Sequence, residues 1–120
     1  MERRSKYNAR PVEIDGIRFD STAESRRYME LKLLEYSREI WGLRVHPRFE
    51  IIPSLNYNGR KLRPVFYEAD FEYYEDNGEV PPTHVVEDVK GMETAVFRVK
   101  SRMFLQNYPD TKFVITKVEK

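Results

Sequence analysis

The chain has no cysteine, which excludes a disulfide-stapled scaffold, a thiolate metal site and a cysteine nucleophile. Histidine is nearly as scarce, and two residues cannot build a histidine-rich metal centre. An excess of charge of one sign is missing too. Lys plus Arg number 21 against 20 Asp plus Glu, a net charge of +1, so affinity for a polyanion has to come from local clustering. No apolar run approaches the ~20 residues that a membrane span requires, and the opening MERRSKYNAR has no apolar segment behind its charges. These features lead us to expect a soluble, non-secreted, cytoplasmic protein. There is neither an internal repeat nor a low-complexity tract.

What is present is material for one core. The 120 residues match a single domain of ordinary size, about 100 to 150 residues. With 40% hydrophobic and 13% aromatic residues the core has substance, and 34% charged residues supply a solvated surface. Most of the 8 Tyr and 7 Phe are expected in that core rather than as base-stacking platforms. Residues 1–11 set Arg3, Arg4, Lys6 and Arg10 against Glu2 alone, which reads as a flexible basic arm able to meet phosphates. Residues 12–120 then form the domain.

Val12 to Phe19 alternates around Asp15-Gly16, a dipeptide suited to a tight hairpin turn. Ser21-Thr22-Ala23-Glu24 has the form of a capping box, and Tyr28, Leu31, Leu34 and Ile40 line one apolar face of a helix over 22–39. From Leu43 the period changes to two, with Leu43, Val45, Pro47, Phe49 and Ile51 on one side of an edge strand. A turn at 56–61 leads to a second strand, whose Val65, Tyr67, Ala69, Phe71 and Tyr73 share a face. The segment 75–82 is a loop, 85–90 a Val-rich strand, 94–107 a helix ended by Pro109, and 112–118 a closing strand. The expected fold is α/β, a small mixed sheet flanked by helices, with an N-terminal hairpin.

The chemistry concentrates around the strand His84-Val85-Val86-Glu87-Asp88-Val89-Lys90. Asp88 and Lys90 share a face of that strand, and such charges are costly on an apolar strand unless paired, hydrated or used. Asp70, in the preceding strand, can lie opposite Asp88 across an antiparallel ladder, with Cβ atoms ~5 Å apart. Two carboxylates so placed repel unless a cation such as Mg²⁺, or Mn²⁺ in its stead, lies between them. A cation there can polarise a phosphodiester and activate water, with Lys90 positioning that water. Glu24, on the apolar side of its helix, is a third candidate acid. Capping is the alternative role for Glu24, and a solvated face shared with Glu68 and Glu72 is the alternative for Asp70. Arg98, Lys100 and Arg102 form a basic cluster able to meet phosphates; Arg98 and Arg102 share a face at i and i+4, and Lys100 points elsewhere. His46, between Arg44 and Arg48, can line the same cleft.

This order of acids, Lys90 and helices resembles the PD-(D/E)xK nuclease superfamily. More narrowly, Asp15-Gly16-Ile17-Arg18-Phe19-Asp20-Ser21, Glu24 with Arg27-Tyr28, Ala69-Asp70-Phe71, Glu87-Asp88-Val89-Lys90-Gly91 with Thr94, and Phe97-Arg98 with Lys100 resemble a small phage and prophage family. The resemblance covers residues 12–115. It implies a restriction-endonuclease-like core of order α-β-β-β-α-β, with Asp70 as the motif aspartate, Asp88 as the (D/E), Lys90 as the lysine and Glu24 as the first-helix acid. Ala69 replaces the Pro of the superfamily name, and Asp88 replaces the commoner Glu. It further implies a Mg²⁺-dependent DNA endonuclease. A homodimer acting on branched DNA, as a Holliday-junction resolvase does, suits a chain too small to carry a separate sequence-reading module. A nicking nuclease, an RNA-processing nuclease and a non-catalytic DNA-binding protein of the same fold are the alternatives.

Overall fold

A computed structural model describes residues 11–78 and 80–118. The arm expected at 1–11 lies outside these residues except for Pro11. Two short strands, β1 (Val12–Ile14) and β2 (Ile17–Phe19), form the expected hairpin. Asp15 and Gly16 both have positive φ, 55° and 76°, the backbone that a two-residue hairpin turn demands. The Tyr28 hydroxyl donates to Asp15 Oδ2 at 2.8 Å and ties that turn to the following helix.

Helix α1 (Thr22–Tyr36) starts where Ser21 accepts the Glu24 backbone N–H at 3.2 Å. Only half of a capping box forms, because the Glu24 carboxylate turns inward and one of its oxygens has no hydrogen-bond partner. Ser21→Ala is expected to cost about 1 kcal/mol, read as a lower denaturant midpoint at unchanged slope. The helix ends at Tyr36 rather than at 39. Arg38 takes φ 65°, and the Arg38 and Glu39 amides donate to the Glu35 and Leu34 carbonyls at 3.1 and 3.0 Å. This is a Schellman closure with Arg in the position Gly usually fills. Ile40, expected on the helix face, is buried instead from the first position of β3 (Ile40–Val45).

The strand expected as one piece from Leu43 is two, β3 and β4 (Arg48–Ile52), broken at His46-Pro47 with His46 at φ 54°. Its partner is broken opposite, into β7 (Val65–Glu68) and β8 (Phe71–Glu75), at Ala69-Asp70. Hydrogen bonds bridge the double bend: the His46 amide donates to the Asp70 carbonyl at 2.9 Å and the Ala69 amide to the Pro47 carbonyl at 3.0 Å. Between these halves β5 (Leu55–Tyr57) and β6 (Arg60–Leu62) make an exposed hairpin on an Asn58-Gly59 turn, where the sequence pattern suggests only a turn.

Strand β9 (Thr83–Lys90) pairs antiparallel with β8 and parallel with β10 (Lys112–Lys117), so the main sheet runs β10-β9-β8-β3. Helix α2 (Ala95–Asn107) forms the crossover between the parallel strands, with Thr94 accepting the Phe97 amide at 3.1 Å. The protein is thus a small mixed α/β domain with two helices and several sheets. Alternation along β9 divides the core. Val85 and Val89 join Phe19, Tyr28, Leu31, Phe71 and Tyr73 on the α1 side. Val86 joins Ile51, Tyr67, Ala69, Phe97 and Phe104 on the α2 side. The double bend explains how one apolar strand face serves both: Tyr67 and Ala69 pack with α2, Phe71 and Tyr73 with α1.

Candidate functional site

The carboxylates are brought to the bend and to the nearby end of β9. Glu24 comes from the first turn of α1, Asp70 and His46 from the two facing kinks, and Asp88 and Lys90 from the last positions of β9. One carboxylate oxygen of Glu24, one of Asp70 and a His46 ring nitrogen all lie within 4.8 Å of one another. His46 Nε2 is 3.9 Å from Glu24 Oε2. Asp70 Oδ2 accepts the Val89 backbone N–H at 2.7 Å, which anchors the bend to β9. Lys90 Nζ stands 3.7 Å from Asp88 Oδ1 and 4.5 Å above the Phe97 ring.

The expected opposition of Asp70 and Asp88 is close to the observed register but does not itself form. The β8–β9 ladder ends at Phe71↔Glu87, one position short of that pair, where the chain bends between β7 and β8. The group of converging donor atoms is therefore Glu24, His46 and Asp70, with Asp88 outside it. His46, expected beside DNA, sits among the carboxylates. No sequence signal marks this, because it depends on the positive φ of a residue before proline.

Burial governs the electrostatics. The Asp88 side chain is 1% exposed and neither of its oxygens has a hydrogen-bond partner. That desolvation lifts its pKa to about 6, against a downward pull from Lys90 and the Asp70 amide. Glu24 is pushed up to about 7, first by burial, then by repulsion from Asp70 and Asp20, while the Asp20 amide and Lys90 offset part of this. Asp70 is also raised by burial, against the Val89 amide, Lys90 and His46. Three carboxyl groups that resist ionisation in one place form a site that favours an added cation. Glu24, Asp70 and His46 can hold one directly, with the Asp88 oxygens, which have no hydrogen bond, at its side.

Asp88 contrasts with its neighbour Glu87, which is fully buried on the opposite face of β9 and fully satisfied. Arg27 Nε and an Arg27 terminal nitrogen donate to it at 2.6 and 3.0 Å, the Tyr73 hydroxyl at 2.7 Å and the Thr116 hydroxyl at 2.9 Å. Equal burial with opposite hydrogen bonding separates a structural carboxylate from a candidate functional one.

The three basic residues of α2 do not act together. Arg98 and Arg102 are exposed, and Arg98 donates to the Glu93 carbonyl at 3.2 Å. Lys100 lines a groove of about 340 Å³ together with Arg48, Lys90 and Phe97. A second recess, of about 570 Å³, opens beside Glu24 between the start of α1 and the β9–α2 loop. Sequence reasoning missed another basic stretch: Arg60, Lys61 and Arg63 on and just after the exposed hairpin, with no acid anywhere from Ile51 to Tyr67. A windowed charge count would have found it. Arg3, Arg4 and Lys6 lie outside the described residues. Among the described residues no helix is long and apolar enough to cross a membrane.

Fold and site together define a small mixed α/β protein with a half-buried carboxylate and imidazole cluster beside a lysine. Over residues 4–120 the sequence matches the family described as "protein of unknown function (DUF1064)". The chain belongs to that family. No curated protein and no solved structure matches it significantly.

Proposed function

We propose that this protein is a metal-dependent endodeoxyribonuclease of the PD-(D/E)xK type, with a restriction-endonuclease-like core, of phage origin and acting on branched DNA. The observation that carries this reading is the set of buried carboxylate oxygens without partners, Glu24 Oε2 and both oxygens of Asp88, gathered with Asp70 beside the Lys90 ammonium. A carboxylate set of this kind fits Mg²⁺, and the His46 nitrogen widens the fit to Mn²⁺. Glu24, Asp70 and His46 would hold the ion, with Asp88 adjoining it. Bound there, a divalent cation supplies positive charge to a scissile phosphodiester and acidifies a water.

The remaining work falls to the chain itself. Lys90, half-buried and held over the Phe97 ring, places an ammonium where negative charge develops on the phosphoryl oxygens. Asp70, fixed by the Val89 amide, keeps one oxygen in a set orientation. Glu24, held up to about 7 by burial and by Asp70 and Asp20, gives up its proton when the site takes a cation, so cation binding near neutrality releases protons. Cutting two strands of a junction calls for two sites, hence a homodimer.

The test is cleavage of supercoiled plasmid and of a synthetic four-way junction with Mg²⁺ or Mn²⁺, and with EDTA as control. Metal-dependent cutting that Lys90→Ala lowers by roughly 100-fold supports the reading. Absence of cutting with either metal sinks it and leaves a nucleic-acid-binding module. RNA added as competitor separates an RNA-processing enzyme, and equal rates on plasmid and junction separate a nicking enzyme without junction preference.

A further inference from the structure

The groove on the α2 side of β9 has its own chemistry. Arg48 from β4, Lys90 from β9 and Lys100 from α2 line it, with Glu68 as its single acid. Lys90 is engaged with Asp88. Among the described residues Arg48 and Lys100 form no ion pair, and the Arg48 guanidinium rests over the Phe66 ring at 4.2 Å. The floor supplies a further unmet group. Tyr67 is 3% exposed, lines the groove, and its hydroxyl has no hydrogen-bond partner. A buried hydroxyl without a partner is costly, and two cations at the wall of a recess repel each other unless an anion joins them.

We infer that this groove is a phosphate subsite, which holds a backbone phosphate of a nucleic-acid strand through Arg48 and Lys100 while the neighbouring phosphodiester lies at the Glu24–Asp70 cluster. The inference rests on the nuclease reading of the adjoining site, to which Lys90 connects the groove. Phosphate oxygens meet the guanidinium fork of Arg48 and the ammonium of Lys100. The half-buried Phe66 and the buried Phe97 give the groove apolar walls against which a sugar or base can lie. The exposed Arg60, Lys61 and Arg63 extend the same polarity outward along the hairpin, so the strand continues toward that arm rather than over Arg98 and Arg102.

Binding is measured without catalysis. Fluorescence anisotropy of a labelled single-stranded DNA oligonucleotide is followed in EDTA over a range of salt, for the full chain and for Lys100→Glu and Arg102→Glu. The two substitutions make the same charge change on one helix, but only the first lies in the groove. Lys100→Glu is expected to weaken binding at least ~10-fold and to flatten the slope of log K against log salt by about 1, with Arg102→Glu within about 2-fold of the parent. Equal effects of the two overturn the inference, as does an unchanged slope for Lys100→Glu. Should Lys100→Glu lower the thermal midpoint, Arg48→Ala decides by the same readout. Groove-dependent binding by a protein that cuts nothing with Mn²⁺ overturns the nuclease reading alone. Cutting with equal effects of the two reversals overturns the groove alone.

Discussion

Asp88→Asn is expected to abolish cutting and at the same time make the metal-free protein more stable. The two effects have one cause. A carboxylate that is buried without a hydrogen bond, with only the Lys90 ammonium 3.7 Å away, keeps its proton to about pH 6 in the fold, whereas in the unfolded chain it loses it near the ordinary Asp value of about 3.9. Between those values the folded state binds more protons than the unfolded state, so stability falls as pH rises. Glu24, held up to about 7, extends the same loss toward neutrality. Each contributes roughly 3 kcal/mol of destabilisation above its folded pKa. A neutral amide at Asp88 removes one share. In EDTA at pH 8 the thermal midpoint should rise by about 5 to 10 °C, while at pH 4 it should hardly move.

A divalent cation should offset about half of this loss, since it binds the ionised folded site and competes with the protons. At a concentration of 100 times its dissociation constant it adds about 2.7 kcal/mol, all of it at the alkaline end. Cleavage by Asp88→Asn with Mn²⁺ should fall by at least ~100-fold. Thermal unfolding at pH 4, 6 and 8, with EDTA and with Mn²⁺, reads the whole pattern. A metal-free midpoint that does not fall between pH 4 and 8, or an Asn variant that is less stable at pH 8, would refute the account.

The second large effect is purely structural. Arg27→Met should destabilise the fold by about 3 to 5 kcal/mol, because Glu87 would then stand charged and buried with its main donor gone. The pair is bidentate, at 2.6 and 3.0 Å, and the Glu87 side chain has no exposure at all. Replacing both members, Arg27→Met with Glu87→Met, should recover more than half of that loss, since no charge is then stranded. Urea unfolding of the two variants gives the comparison. A single variant within 1 kcal/mol of the parent would mean that Tyr73 and Thr116 hold Glu87 unaided.

What was legible in the sequence is what local chemistry writes. Asp15-Gly16 and Asn58-Gly59 specify their turns, Ser21 and Thr94 their helix starts, and the run from Val85 to Lys90 its strand. Asp88 and Lys90 share a face as their spacing demands, and Glu24 turns inward as its place on the helix suggests. The rest depended on partners far along the chain. Arg27 and Glu87 are sixty positions apart, and nothing near either announces the other. The i, i+4 relation puts Arg98 and Arg102 together but cannot say that Lys100 meets the groove. A strict period of two assumes a straight strand, so it missed the break at His46-Pro47 and with it the imidazole among the acids. The apolar alternation from Val65 to Tyr73 was sound, yet it served two cores rather than one.

The paired kinks at residues 46–47 and 69–70 have one more implication. A single departure from regular sheet geometry delivers two of the three converging donors, one from each strand, stitched by the same pair of amide bonds. Errors in their placement are therefore correlated. A change that relaxes either kink moves both the imidazole and the aspartate, so the cluster tightens or loosens as a unit, and its bite is set by backbone shape more than by rotamers.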